Sequence, residues 1–356
     1  MLSRYVHLLI VATLLLLTAQ DTFAQHTRLP EVIPPQPPSA NWPPSSQVQP
    51  LPPQQEMLQF DPSLQYAQPA DETLPIYVES YQPPPSSSPA GRDGVFQHVD
   101  FAGTWLAGSG PGELGMSDLE LSALFGFPFP ARESPLLVTP RFGIHYFDGP
   151  VSSGSPSSAD LPPQVYDASL QFRHLRDFAG PWAMDIAVQP GVYSDFEDAG
   201  SDALRITGHG LAIYEWSPAT KLVLGVAYLD REDVAVLPAG GILWIPHDAV
   251  RFELVAPRPR IAWRVDSFTQ PHEMWWAYVA GEFGGGEWEV QRAAGDRDVA
   301  TLRDYRAILG LERQVTGGLS TRMEVGYVFG RDLEYRSGRG DFAPDDTILL
   351  RVGARY

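Results

Sequence analysis

The sequence contains no cysteine, so a secreted form could not be stabilised by disulfides. Basic residues are also scarce, because 25 Lys and Arg face 43 Asp and Glu and the formal net charge is -18. This balance argues against binding to nucleic acid and against anchoring on anionic lipid through basic side chains. Beyond the first 24 residues, no stretch approaches ~18 continuous apolar residues, which argues against a later membrane-spanning helix.

The first 24 residues follow the order of a secretory signal peptide. Arg4 precedes an apolar run from Tyr5 to Ala19, and the run is followed by Thr22-Phe23-Ala24. A membrane anchor is the alternative, but the apolar core is short and no basic flank follows it. We therefore predict a signal peptide over residues 1–24, with cleavage after Ala24 and export from the cytoplasm.

Residues 25–91 differ in composition from the rest of the chain. They hold many of the chain's 35 prolines, in runs such as Pro83-Pro84-Pro85, with Gln and Ser between the runs. Proline lacks a backbone donor and fixes φ, so such a segment builds neither a helix nor a ladder. We predict a disordered Pro-rich periplasmic segment. A plain spacer is favoured over an arm that binds cell-wall material.

Residues 92–356 show short runs in which apolar and polar residues alternate. Tyr166, Ala168, Leu170 and Phe172, for example, alternate with polar or small residues, and no stretch shows a convincing helical stripe. Period two is typical of strands with one apolar and one polar face. Charge and glycine on one face, with long apolar runs ending in aromatic residues on the other, favour a membrane barrel over a soluble sandwich. The predicted fold class is all-β, with a single transmembrane antiparallel β-barrel.

The last strand has the same pattern and ends on an aromatic residue. Its apolar face resembles the signal that the barrel-assembly machinery reads in bacterial outer-membrane proteins. The predicted signal consists of Ile348, Leu350, Val352, Ala354 and Tyr356.

The alternation divides residues 92–356 into about fourteen strands, with twelve as the fallback. Short links then alternate with longer ones, which is typical of periplasmic turns and outer loops. Two details of this division involve proline and glycine. One predicted strand, 250–266, contains Pro257 and Pro259, which imply a bulge or kink. A short turn at Gly284–Gly285 is expected to separate strands at 273–283 and 286–293.

If the apolar face meets lipid, a set of charged side chains of both signs faces the lumen. The candidates are Arg173, Asp185, Glu253, Arg260, Arg264, Arg306, Glu312, Arg322, Glu324, Arg351 and Arg355. One interpretation is a polar pore that selects solutes. The other is a closed, salt-bridged interior, and the sequence does not separate the two.

Several phrases resemble a known family when they are taken together, among them Gly225-Val226-Ala227-Tyr228 and Ala280-Gly281-Glu282-Phe283-Gly284-Gly285-Gly286. The chain resembles a planctomycete-type family of uncharacterised outer-membrane β-barrel proteins, a domain of unknown function. The resemblance implies a barrel in the outer membrane of a Gram-negative-type bacterium. It implies no substrate and no catalytic residue.

A search for chemistry along the sequence gives only weak candidates. The histidines are scattered, no His, Asp and Glu have the spacing of a metal site, and no glycine run has the setting of a phosphate loop. We therefore predict no enzyme, no cofactor and no metal.

The expected partners are outer-membrane lipid and the assembly machinery. The leading function is a passive, porin-like channel for small solutes; the alternatives are a non-conducting structural or surface-interaction barrel and an outer-membrane hydrolase.

Overall fold

A computed structural model describes residues 95–108, 112–131, 134–149, 160–197, 200–265 and 273–356. The predicted signal peptide and Pro-rich segment lie outside these ranges. Within the described ranges, no helix is long and apolar enough to cross a membrane.

In the part of the chain that the structure describes, fourteen strands form one closed antiparallel barrel, in which each strand pairs with its neighbours along the chain and the last pairs with the first. The predicted all-β barrel of about fourteen strands is thus confirmed. The strands are β1 Phe96–Leu106, β2 Gly115–Ala131, β3 Ser134–Asp148, β4 Gln164–Asp177, β5 Trp182–Ser194, β6 Leu204–Ser217, β7 Thr220–Tyr228, β8 Val236–His247, β9 Val250–Ala256, β10 Arg260–Arg264, β11 Glu273–Gln291, β12 Arg297–Val315, β13 Ser320–Tyr335 and β14 Thr347–Arg355.

The barrel closes between β1 and β14, where Thr104 lies opposite Arg351 and Trp105 lies opposite Leu350. Side chains alternate between the two faces of a strand, so a register shift of one residue would exchange the inner and outer faces of β14. Both the start of β1 and the end of β14 lie at the same end of the barrel, which we call the lower end. The described parts of the links that follow β1, β3, β5, β7, β9, β11 and β13 lie at or toward the upper end.

The predicted long strand at 250–266 is wrong, because the structure divides it into β9 and β10. Proline has no N–H for a ladder, so Pro257 and Pro259 end the pairing and form a tight hairpin link. This hairpin is short. Its tip reaches only to the level of Gly281 of β11, whose N–H donates to the carbonyl of Pro259. The upper part of β11 therefore extends beyond its neighbour β10.

The predicted turn at Gly284–Gly285 is also wrong, because β11 runs without interruption through these glycines. Gly284 pairs with Asp304 and Gly285 with Arg303 of β12. The glycines produce a bend instead of a reversal. Gly285 has a φ of 98°, which side chains other than glycine rarely adopt, and an added Cβ would lie 2.0 Å from the carbonyl oxygen of Leu302.

Large apolar side chains are exposed on the outer face of most strands, among them Leu121, Leu224 and Leu309. Outward-facing aromatic rings cluster near the lower end, where Trp182 packs on Tyr214 and Trp244 stacks on Phe252. A second set lies higher on the wall, where Tyr166 packs on Phe196 and Tyr305 stacks on Phe329. An apolar band between aromatic rings is the surface that lipid requires.

Candidate functional site: the capped lumen

The inner face of the barrel carries charged side chains of both signs, and most are paired. On β4 and β5, Arg173 donates two hydrogen bonds to Asp185, at 2.9 and 2.7 Å. His209 of β6 lies 3.2 Å from the same carboxylate. Such bidentate pairs hold both side chains in a fixed geometry. The inner wall here is stabilised by its own ion pairs.

A larger charged network lies on the inner faces of β11 to β14. Arg351 donates to Glu282 at 3.1 Å and to Glu324 at 2.9 Å. Arg306 donates to the same Glu282 at 3.0 Å and to Asp304 at 2.7 Å. These side chains are almost completely buried. A buried charge is tolerated only when it is paired and hydrogen-bonded, and this network meets both conditions.

The remaining predicted lumen residues occupy positions around this network. Arg260 donates to Glu312 at 2.8 Å, and Arg322 lies 3.6 Å from Glu324. Arg355 donates to Asp100 of β1 at 2.5 Å, near the lower end. Glu253 lies on the same inward face of β9 as Arg251, and Arg264 lies on the same inward face of β10 as Arg260. Sequence reasoning missed Glu282 and Asp304, which lie beside the glycine bend.

The upper part of β11 departs from the barrel wall together with the β12 residues that pair with it, while β12 stays paired with β13 from Ala300 downward. We call residues 286–302 the cap hairpin. Glu289 pairs with Ser194 of β5, although five strands separate β5 from β11 in the barrel order. Both faces of the hairpin are buried over residues 287–290 and 298–302, whereas β12 alternates lower down. The hairpin therefore crosses the lumen near the upper end.

Polar contacts join the cap hairpin to the opposite wall. Arg205 of β6 donates to the carbonyl of Glu287 at 2.8 Å, and the indole N–H of Trp288 donates to Asp167 at 2.6 Å. The N–H of Gly200 donates to Glu289 at 2.7 Å. These contacts replace the water that would otherwise solvate a polar lumen.

The cap hairpin also packs into an apolar cluster. Its own contribution is Trp288, Val290, Ala300 and Leu302, and the wall contributes residues from β1, β2, β4, β13 and β14. The wall residues, all buried or nearly so, include Leu106, Met116, Val165, Val328 and Leu349. Burial of this apolar surface holds the hairpin in place. The cap hairpin is thus a packed plug of the barrel.

The cap depends on the bend at Gly285, which gives a testable expectation. Replacing Gly285 with valine should detach the cap hairpin from the wall, because a side chain meets the Leu302 carbonyl and the backbone conformation is unfavourable, at roughly 1–3 kcal/mol for the conformation alone. Limited proteolysis should then cut within residues 286–302. Gly281→Ala is the matched control, since its Cβ makes only ordinary contact with Pro259. Equal resistance of the two variants would contradict the expectation.

A cavity of about 90 Å³ lies beneath the cap hairpin. Its lining includes side chains from β2 to β6 and the cap residues Glu287 and Trp288. Space of this size holds a few water molecules when polar groups line it. The cavity is the polar interior that remains once the hairpin fills the upper lumen.

One wall of this cavity brings together residues that lie far apart in the sequence. His145 of β3 contacts Asp118 of β2 through Nδ1 at 2.8 Å and Asp167 of β4 through Nε2 at 3.0 Å. Glu120 is two residues from Asp118 on the same face of β2. Asp118, Glu120 and His145 place one ligand atom each within 4.8 Å of one another. Spacing along the sequence gave no sign of this group, because it forms across paired strands.

These features define the class of the protein as a closed fourteen-stranded barrel with an apolar exterior and a plugged, charged interior. The chain belongs to the family described as Domain of unknown function (DUF6268), whose profile matches residues 153–341, more than half of the chain. The family resemblance found in the sequence is confirmed. No curated protein matches the chain.

Solved structures that match most of this chain include two porins and an outer membrane channel. The KdgM porin is 8% identical, with 73% of this chain and 98% of that chain covered and a TM-score of 0.33. The NanC porin is 8% identical, with 72% and 98% covered and a TM-score of 0.34. An outer membrane channel from Pseudomonas putida F1 is 12% identical, with 76% and 98% covered and a TM-score of 0.36.

Proposed function

We propose that this protein is a porin-like β-barrel of the outer membrane of a Gram-negative-type bacterium. The exterior supports the proposal, because exposed side chains such as Leu224, Val226 and Tyr228 on one strand face are unfavourable in water and favourable in lipid. Full closure supports it too, since an open sheet edge in hydrocarbon would leave backbone groups without partners.

The barrel-assembly machinery is the proposed partner of β14. Ile348, Leu350 and Tyr356 are exposed on its outer face, and Val352 and Ala354 between them are partly exposed. An outward apolar row that ends on an aromatic residue is available to a partner before the barrel closes.

The proposed activity is conduction of small polar solutes through a lumen that the cap hairpin closes at rest. The conduction proposal rests on the composition of the wall opposite the cap hairpin. This wall is lined by Asp167, Gln189 and Arg205, which suit water and solutes and are not needed for an apolar core. Displacement of the cap hairpin would leave a passage with polar walls of both signs.

A non-conducting barrel is the second candidate, and a different observation favours it. An apolar cluster including Leu211, Val223 and Leu243 lines the inner face of β5 to β9 toward the lower end. Together with the packed cap hairpin, it would keep water out of the barrel. A hydrolase is disfavoured, because both ring nitrogens of His145 contact carboxylates and neither contacts a nucleophile.

A disulfide that locks the cap hairpin separates the two candidates. Glu289 and Ser194 are bridge partners, which is compatible with the short Cα separation a disulfide needs, and the chain has no other cysteine. In planar bilayers, the Glu289→Cys/Ser194→Cys variant should show no channel events when oxidised. Reduction should restore the wild-type events, and Trp288→Ala, which weakens the cap, should make them several-fold more frequent.

The control is a cysteine pair within the wall, Thr321→Cys/Ala354→Cys, at paired positions near the lower end. Its conductance should not respond to reduction. The channel proposal would be refuted if the wild type, the reduced Glu289→Cys/Ser194→Cys variant and Trp288→Ala all lacked channel events. The non-conducting barrel would then remain. Channel events that persist in the oxidised Glu289→Cys/Ser194→Cys variant would refute the gating role of the cap hairpin.

A further inference from the structure

We propose that Asp118, Glu120 and His145 bind a divalent transition-metal ion inside the barrel. The site does not depend on whether the barrel conducts. It lies on β2 and β3, in the wall of the cavity beneath the cap hairpin.

The ladder between β2 and β3 sets the geometry. Asp118 lies directly opposite His145, and Glu120 lies opposite Gly143. Residues two apart on a strand share a face, so Asp118 and Glu120 both point inward, toward the His145 side of the cavity. Gly143 leaves room for the imidazole, because a Cβ there would lie 3.2 Å from His145 Nε2.

Asp118 provides an independent reason to expect a ligand. It is only 1% exposed, and its Oδ2 atom is buried without a hydrogen-bond partner among the described residues. Leaving a buried carboxylate oxygen unsatisfied is costly, and such cases in native proteins call for an explanation. A cation held beside Oδ2 supplies the missing interaction.

The surroundings of His145 have the arrangement that orients a metal ligand. Its Nε2 lies 3.0 Å from Asp167, and the other oxygen of Asp167 accepts from the Trp288 indole at 2.6 Å. A ligating histidine usually donates its second ring N–H to a carboxylate, which fixes the ring and its tautomer. Nδ1 then faces Asp118, where the ion would be bound. Asp167 and Trp288 are positioning residues in this proposal.

The donor set indicates the kind of ion. One imidazole nitrogen with two carboxylates suits Zn²⁺, Mn²⁺ or Fe²⁺, whereas Ca²⁺ and Mg²⁺ prefer oxygen ligands throughout. Three protein ligands leave positions for water, and the cavity of about 90 Å³ that adjoins the site has space for it.

The test is Co²⁺ binding to the untagged full chain, refolded in detergent without lipopolysaccharide and followed by visible absorption. One equivalent should bind, Zn²⁺ should displace it, and a large excess of Ca²⁺ should not. Asp118→Asn and His145→Gln should each lower the affinity by roughly 100-fold or more, and Asp167→Asn by about 10–100-fold. His209→Gln, another buried inward histidine beside a carboxylate, is the matched control and should bind as the wild type does.

Each variant is first shown to be folded by heat-modifiability on a gel, and a Zn²⁺-dependent rise in the unfolding temperature gives a second readout. The proposal is overturned if the folded wild type binds no Co²⁺. It is also overturned if Asp118→Asn and His145→Gln bind as well as His209→Gln does. Because binding is measured without a membrane, failure of the metal site leaves the channel proposal standing, and the reverse also holds.

Discussion

Replacing Leu350 with arginine is expected to prevent the barrel from assembling in outer membranes. Leu350 is exposed on the outer face of β14, beside Trp105 across the closing seam. An arginine on the lipid face costs about 2–4 kcal/mol near the midplane. A register shift by one residue would move it to the inner face, but the same shift would turn Arg351 outward. The folded, heat-modifiable band should be lost from membrane fractions.

Thr347→Arg is the control, because it adds the same charge to the same strand on the opposite face, at the upper rim. It should assemble. The neighbouring Leu349 is not a suitable control, although the alternation places it on the inner, mostly polar face. It is fully buried in the apolar cluster around the cap hairpin. If Leu350→Arg and Thr347→Arg assemble equally well, the outer face of β14 does not meet lipid.

Glu282→Ala is expected to destabilise the folded barrel by about 3–5 kcal/mol, because truncation leaves charges buried without their partner. Glu282 accepts hydrogen bonds from both Arg306 and Arg351, and Arg258 lies 3.7 Å away. The measurement is the urea midpoint of the heat-modifiable band, compared with wild type under the same conditions.

An exposed ion pair of similar composition provides the comparison. Arg336 contacts Asp202 and Glu232 between the upper links, where all three side chains are about half exposed. Arg336→Ala should change stability by about 0–1 kcal/mol. A Glu282→Ala barrel that unfolds at the wild-type midpoint would show that the buried network does not stabilise the wall.

Sequence alternation predicted the barrel because each strand separates an apolar from a polar face, and that separation is local. It gave fourteen strands through two compensating errors. Pro257 and Pro259 divide one predicted strand, while Gly284 and Gly285 join two. In both cases the residue type correctly indicated an irregularity in the strand. Whether the prolines form a bulge or a hairpin tip, and whether the glycines form a turn or a bend, depends on how the neighbouring strands pair.

The candidate sites were less predictable than the fold. Period two identifies which side chains point inward, but not what fills the space they meet. The cap hairpin depends on contact between β5 and β11, which no local pattern encodes. Asp118 and His145 become neighbours only through the register of β2 against β3. A sequence search that allowed ligands from adjacent predicted strands would have found this pair.

The short β9–β10 hairpin has a consequence for the strand beside it. Because that hairpin ends at the level of Gly281, the upper part of β11 does not pair with β10 and bends into the lumen while still paired with β12. The seal is therefore a continuation of strands that also build the wall. How much of β11 is free to bend into the lumen is set by the length of a different hairpin, β9–β10.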